Sequence, residues 1–216
     1  MIELLNMDCM DYMAGLPDKA FDLAIVDPPY GVGDWQTVGD ADQFNLRAQK
    51  KYGKVDWNDF TPEPNYFQEL LRVSKEQIIW GANYYNSFPI TGGAIVWDKK
   101  NDANRYSDGD IASCSLQKKI SFFRFKWNGF LQEDMANKEI RIHNCQKPVQ
   151  LYKWLLKNYA QPGDRILDTH LGSGSSAVAA HQMGFDFVGT EIDLDYYNAA
   201  QKRFKEAIKQ QSLFAT

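Results

Sequence analysis

Residues 165–177 read Arg165-Ile166-Leu167-Asp168-Thr169-His170-Leu171-Gly172-Ser173-Gly174-Ser175-Ser176-Ala177. A short apolar run closes on an aspartate, a glycine turn follows, and a helical pattern begins. Glycines at 172 and 174 let a ligand approach the backbone closely, and the helix then opens with free N–H groups. Glu191 closes the next apolar run, nineteen residues after Gly172. Glycine-x-glycine-x-x-alanine with an acidic residue ~20 positions on is the pattern that grips adenosine-like ligands, the acid holding ribose hydroxyls. A carboxylate at Asp168 would repel a pyrophosphate but suits an ammonium. S-adenosylmethionine carries an ammonium and a sulfonium and no phosphate. The competing reading makes Asp168 a helix cap, a task that Ser173 or Ser175 could also perform.

Working outward, apolar runs at residues 2–5, 21–26, 77–80, 94–97, 121–127, 165–168 and 186–191 read as strands. Helical spacing covers residues 9–16, 64–75, 148–159, 175–183 and 195–210, with Pro148 in the first turn of its helix. Strands separated by helices predict an α/β fold, a parallel sheet with helices on both faces. Two stretches break the rhythm. Residues 31–61 are polar and rich in Gly and Asp, with Trp35 and Trp57 embedded, and read as a functional loop. Residues 98–144 hold few regular runs and read as a small insertion within a single domain spanning 1–216.

The strand at 21–26 runs into Asp27-Pro28-Pro29-Tyr30. Two prolines remove two backbone donors and fix two φ angles, so the strand must stop there. Asp27 and Tyr30 then stand at the carboxyl edge of the sheet, where open α/β folds bind ligands. The rigid turn offers a carboxylate, the Pro28 carbonyl and an aromatic ring. That set suits a flat heterocycle with an exocyclic amine.

Composition sets the outer bounds. The chain has 216 residues, 44% hydrophobic and 24% charged, as in an ordinary globular domain. No apolar run reaches the ~20 residues of a membrane span, and no signal peptide precedes the first strand, so a cytoplasmic location is expected. Cys9, Cys114 and Cys145 are widely spaced, and no cluster has metal-ligand spacing, so reduced thiols and no metal are expected. Net charge is −4, yet residues 99–147 hold ten Lys/Arg against six Asp/Glu. A second basic group, Arg47, Lys50, Lys51 and Lys54, follows the Pro-Pro turn. Two basic clusters flanking one candidate site are a footprint for a polyanion.

Together, Asp27-Pro28-Pro29-Tyr30, Gln146-Lys147-Pro148, and Asp168 to Gly174 with Glu191 resemble the S-adenosylmethionine-dependent amino DNA methyltransferases, which methylate N6 of adenine or N4 of cytosine. The catalytic turn precedes the cofactor turn, as in the circularly permuted β-class. Trp80-Gly81-Ala82-Asn83-Tyr84-Tyr85 and Val96-Trp97-Asp98-Lys99 look like the small phage and prophage members. The resemblance implies a Rossmann-like methyltransferase sheet in permuted order, with the strand at 2–5 third in the cofactor half. It implies S-adenosylmethionine as cofactor, with Asp8 and Cys9 at its adenine, Lys147 and Pro148 at its methionine end, and Asp27, Asp168, His170, Gly172, Ser173, Gly174, Ser175 and Glu191 around it. Thr169-His170 departs from the family, which often has Pro-Phe there; Asn144 likewise replaces a proline after His143.

The resemblance also implies double-stranded DNA as partner and a base flipped out of the stack onto Tyr30. Asp27 and the Pro28 carbonyl would accept the amine hydrogens, and Asp at the head of the motif leans to adenine. A cytosine-N4 enzyme, an RNA or protein-amide methyltransferase, a nicotinamide-dependent oxidoreductase and a non-catalytic DNA-binding subunit stay open as alternatives. A homodimer and a cognate restriction enzyme stay open as partners.

Overall fold

The computed structural model describes residues 1–33, 58–85, 93–101, 107–128 and 131–214. In chain order the first elements are β1 (Ile2–Asn6), α1 (Cys9–Ala14), β2 (Phe21–Val26), α2 (Pro64–Val73), β3 (Ser74–Trp80), β4 (Ala94–Asp98), β5 (Gly109–Cys114) and β6 (Ile120–Arg124). The short pair β7 (Trp127–Asn128) and β8 (Leu131–Gln132) comes next. The chain continues with α3 (Val149–Tyr159), β9 (Arg165–Asp168), α4 (Ser175–Met183), β10 (Asp186–Glu191) and α5 (Leu194–Phe214).

Eight strands form one sheet in the order β1-β10-β9-β2-β3-β5-β4-β6. β1 lies outside β10, so the amino-terminal strand is third in the half that holds the glycine turn, the permuted order expected. The register carries the candidate site residues to one edge. Asn6 pairs with Glu191, Gly189 with Asp168, Leu167 with Ala24, and Val26 with Ile79. Asp8, Glu191, Asp168 and Asp27 therefore follow one another along the carboxyl edge.

Period-2 alternation divides the core between two faces. Leu23, Ile25, Ile78, Trp80, Ile166 and Phe187 meet Leu151 and Leu155 of α3 and Ala177 and Ala180 of α4. Ala24, Val26, Ile79, Leu167 and Val188 lie instead with Met13 of α1 and with Phe67 and Leu70 of α2. Central strands buried on both sides explain why β2 and β3 read as continuous apolar runs.

The sheet is mixed where a wholly parallel one was expected. β5 runs antiparallel to both β3 and β4, whereas β4 and β6 are parallel. β5 went unread because Gly109-Asp110-Ile111-Ala112-Ser113-Cys114 is short-chained and partly polar; its place is set by its neighbours. Within the stretch 98–144, β5 and β6 belong to the main sheet, while β7 and β8 form a separate two-stranded sheet. The strand expected over 121–127 begins at Ile120 and stops at Arg124. α2 ends at Val73, not at 75: Ser74 takes an extended backbone (φ −121°, ψ 144°) and β3 starts at once. Pro148 caps α3 from outside its first turn.

Trp35, Trp57 and the basic group Arg47, Lys50, Lys51 and Lys54 lie outside the described residues. Of the loop expected over 31–61, only its two ends are described, and they meet. Asn58 accepts from the Tyr30 amide (2.9 Å) and donates to the Gly33 carbonyl (2.9 Å). Cys9, Cys114 and Cys145 are free thiols. Among the described residues no helix is long and apolar enough to cross a membrane, and no His/Cys/Asp/Glu group could hold a metal ion.

Candidate active site

Two turns on neighbouring strands build the site. β2 stops at Asp27 because Pro28 and Pro29 cannot continue a ladder. The Asp27 carboxylate takes two partners: the Tyr30 hydroxyl donates to one oxygen (2.6 Å) and the Lys147 ammonium lies 2.6 Å from the other. Lys147 also donates to the Tyr30 hydroxyl (3.0 Å) and is almost wholly buried. Burial works against its charge, but the Asp27 and Asp110 carboxylates outweigh it and hold its pKa above the ordinary lysine value. Lys147 was expected at the methionine end of a cofactor; the structure sets its ammonium against the Asp-Pro-Pro-Tyr turn.

The rest of that turn is equally well held. The Tyr85 hydroxyl donates to the Pro28 carbonyl (2.7 Å), and Tyr84 stacks on the Tyr30 ring with centroids 5.0 Å apart. Pro28 is buried and Pro29 half-buried. Gly81, after β3, has φ +73°, and a Cβ there would stand 2.2 Å from the Tyr30 ring. Glycine is required at 81 on both counts. A concavity of ≈ 130 Å³ opens beside the two tyrosines, lined also by Asn83, Asp110 and Ile111. Tyr84, Tyr85 and Asp110 had no role in the sequence reading. Tandem aromatics after a Trp-Gly strand end were the available signal for the first two; Asp110 sits on the strand that pattern did not reveal.

The second turn follows β9. Asp168 is buried, accepting from the His170 amide (3.0 Å) and the Ser176 hydroxyl (2.6 Å). Neither Asp168 nor a serine caps α4: its N-cap is Gly174, with no side-chain cap bond. Burial pushes the Asp168 carboxyl up to about 7, against the pull of its two hydrogen bonds. Among the described residues no cation pairs with it. Gly174 has φ +72° and packs against Ala200 of α5, 3.2 Å from where a Cβ would stand. Ser173 and Ser175 share a hydroxyl contact (3.0 Å), and Arg203 of α5 donates to the Ser173 carbonyl and the Ser175 hydroxyl, each at 2.8 Å. The turn is thus braced from behind, a contact that spacing did not show.

Glu191 accepts from the Gly172 amide (2.8 Å) and the Asp193 amide (3.0 Å), leaving lone pairs for further donors. Asp8 caps α1 through the Met10 amide (2.7 Å), and beside it burial raises the Cys9 thiol to about 12. His170 is pushed down to about 4 by burial, so it is neutral near pH 7, and its ring contacts Tyr66 and Thr169. Tyr66, missed in the sequence, bonds the Thr169 hydroxyl (2.6 Å). Pro148 ends the Lys147 segment as the N-cap of α3.

The donor set fits S-adenosylmethionine. A carboxyl raised by burial, with neutral donors beside it, suits its ammonium, and Glu191 with free lone pairs suits its ribose hydroxyls. The absence of any phosphate in that ligand agrees with a carboxylate at the head of the turn.

Comparisons with known proteins agree with this geometry. A family model described as DNA methylase (N6_N4_Mtase) matches residues 72–202, more than half of the chain. The Haemophilus influenzae type II methyltransferase M.HinfI is 22% identical over 250 residues, covering 94% of this chain and 68% of that protein. M2.DpnII of Streptococcus pneumoniae is 26% identical over 262 residues, covering 94% and 89%. M1.HpyAVI, solved as its S-adenosylmethionine complex, superposes with a TM-score of 0.56 at 19% identity, covering 94% of this chain and all of that one. The cytosine-N4-specific PvuII methyltransferase gives 0.57 at 12% identity, covering 97% and 92%. The matched span includes Lys147, Asp168, Gly172, Gly174 and Glu191, and the family uses S-adenosylmethionine. The chain belongs to the N6/N4 DNA methylase family.

Proposed function

We propose that the protein transfers a methyl group from S-adenosylmethionine to the N6 amine of an adenine flipped out of double-stranded DNA. The observation that carries this is the placement of Asp27 and Asp168 on adjacent strands of one sheet edge, one on the Pro-Pro turn and one on the glycine turn. S-adenosylmethionine supplies an electrophilic methyl group when bound. Asp168 would hold its ammonium, Glu191 its ribose, and Asp8 with Cys9 its adenine, while Gly172, Ser173, Gly174 and Ser175 line its path and His170 flanks it.

On the other side, Asp27 and the Pro28 carbonyl would accept the two amine hydrogens. A carbonyl has a second lone pair, so Tyr85 does not exclude this. The amine is a weak nucleophile because its lone pair is delocalised into the ring. Two fixed acceptors favour a pyramidal nitrogen and aim that lone pair across the cleft, and such positioning supplies several kcal/mol. Asp27 then receives the proton that the nitrogen loses as it is alkylated. The stacked Tyr30–Tyr84 pair offers aromatic surface to an extruded base, offsetting part of the ~few kcal/mol of unstacking. The aspartate heading the Pro-Pro motif supports adenine over cytosine. The basic balance of residues 99–147 supports a nucleic acid as substrate.

The test is to incubate unmethylated plasmid DNA with protein and S-adenosylmethionine, then to digest it and analyse its nucleosides by mass spectrometry. N6-methyladenine is expected. N4-methylcytosine in its place would refute the adenine assignment, and methyl groups in RNA alone would refute DNA as the substrate.

A further inference from the structure

Groups of the chain already touch each feature that the proposed function assigns to the target base, and one of them takes the place of the amine itself. Tyr84 stacks on Tyr30, the Tyr85 hydroxyl bonds the Pro28 carbonyl, and the Lys147 ammonium sits on Asp27. Lys147 imitates the amine most closely, because it is a nitrogen donor that contacts both Asp27 (2.6 Å) and the Tyr30 hydroxyl (3.0 Å). A base amine cannot take that position while the ammonium holds it. Nor can a buried ammonium simply leave, because an uncompensated charge in the interior is costly.

The structure provides somewhere for it to go. An oxygen of Asp110 lies 3.9 Å from the same ammonium. The second oxygen of Asp110 is held by Lys99 (2.7 Å), across the β4–β5 hairpin from it. Four charges thus alternate in sign from Asp27 through Lys147 and Asp110 to Lys99. A movement of about 1 Å would convert the longer Lys147–Asp110 contact into a direct ion pair of the kind typical of N⁺–H···O⁻ bonds. The total charge of the cluster does not change in that movement.

We propose that Lys147 is a placeholder for the substrate amine, and that Asp110 and Lys99 are positioning residues that set how readily it yields Asp27 to the target base. The inference rests on the amine-methylation reading above. Asp110 draws the ammonium off Asp27, and Lys99 tempers that pull by neutralising part of the Asp110 charge. The balance of the two governs the apparent affinity for DNA and leaves the cofactor turn alone.

Two substitutions should therefore act in opposite directions. With tritiated S-adenosylmethionine and plasmid DNA, Asp110→Asn should raise the KM for DNA at least fivefold, with kcat within about twofold of the parent. Lys99→Met should lower that KM, because Asp110 then pulls harder on Lys147. Binding of S-adenosylhomocysteine, measured by calorimetry, should be unchanged in both. A structural role alone would impair both variants in the same direction, and that result overturns the proposal, as does an unchanged KM in either. If the parent protein methylates no DNA at all, the underlying reading fails and takes this inference with it; a parent that is active beside two variants shifted the same way refutes the inference alone.

Discussion

Asp27 and Asp168 end neighbouring strands at the same sheet edge, yet their partners are of opposite kind. Asp27 is ion-paired with Lys147 at 2.6 Å, whereas Asp168 is buried with neutral donors, the Ser176 hydroxyl and the His170 amide. One carboxylate has its cation built in, and among the described residues the other has none. The proposed function assigns the first to the substrate amine and the second to the cofactor.

The first prediction follows directly. Asp27→Ala should abolish methyl transfer, a loss of at least ~100-fold as expected for a group in proton transfer, and leave S-adenosylhomocysteine binding intact. Asp168→Ala should weaken that binding by roughly 10–100-fold, the range for losing a charge-assisted hydrogen bond. Calorimetry alongside tritium transfer measures both. Equal loss of binding in the two variants would show that the roles are wrongly divided.

The second concerns pH. On the proposed function the cofactor ammonium requires the ionised form of Asp168, whose carboxyl burial has pushed up to about 7. Cofactor affinity should fall as pH drops from 8 to 6, with a proton released on binding near pH 7. Calorimetry in buffers of different ionisation enthalpy reads that proton. The sign for folding is the reverse. With the folded value raised above the ordinary one, Asp168 contributes stability that is complete below about 4 and lost as pH rises through about 7. Asp168→Asn should flatten that part of the stability–pH profile of the free protein.

The third uses the close approach behind Tyr30. Gly81→Ala would place a Cβ 2.2 Å from the Tyr30 ring at a φ of +73°. The ring must move, and strain of ~1–3 kcal/mol is expected. Transfer should fall steeply with cofactor affinity nearly unchanged. A variant with full activity would show that Tyr30 need not hold its present place.

A fourth prediction tests the brace behind the cofactor turn. Glu139 accepts from Arg203 (2.5 Å) and from the Val149 amide that opens α3 (2.9 Å). Glu139→Ala would remove a cap and leave unpaired a half-buried guanidinium that also holds Ser173 and Ser175. A loss of about 1–3 kcal/mol is expected, between the values for exposed and fully buried pairs, read by chemical denaturation. Cofactor affinity should drop as well, because the serine turn loses its support. Unchanged denaturation would refute the brace.

Much of the molecule was legible along the chain. The Asp-Pro-Pro-Tyr turn can be read locally because prolines terminate a strand wherever it runs. The glycine turn is legible for the same reason: positive φ at Gly174 is a backbone requirement that only a few residues meet. Buried central strands announce themselves as apolar runs, so β2, β9 and β10 carry the right boundaries. From these alone come the α/β class and the order of the two turns along the chain; the permuted sheet order and the residues expected around the cofactor came from the family resemblance.

The tertiary structure decided what depends on neighbours. β5 is a strand because β3 and β4 flank it, and its sequence carries no periodic signal to say so. Lys147 looked like part of a cofactor segment, yet the fold delivers its ammonium to Asp27. Asp110, Tyr84, Tyr85 and Arg203 enter the site only through long-range packing. A local motif specifies a backbone shape; which charge meets which depends on how strands far apart in the chain are aligned, and no spacing rule records that.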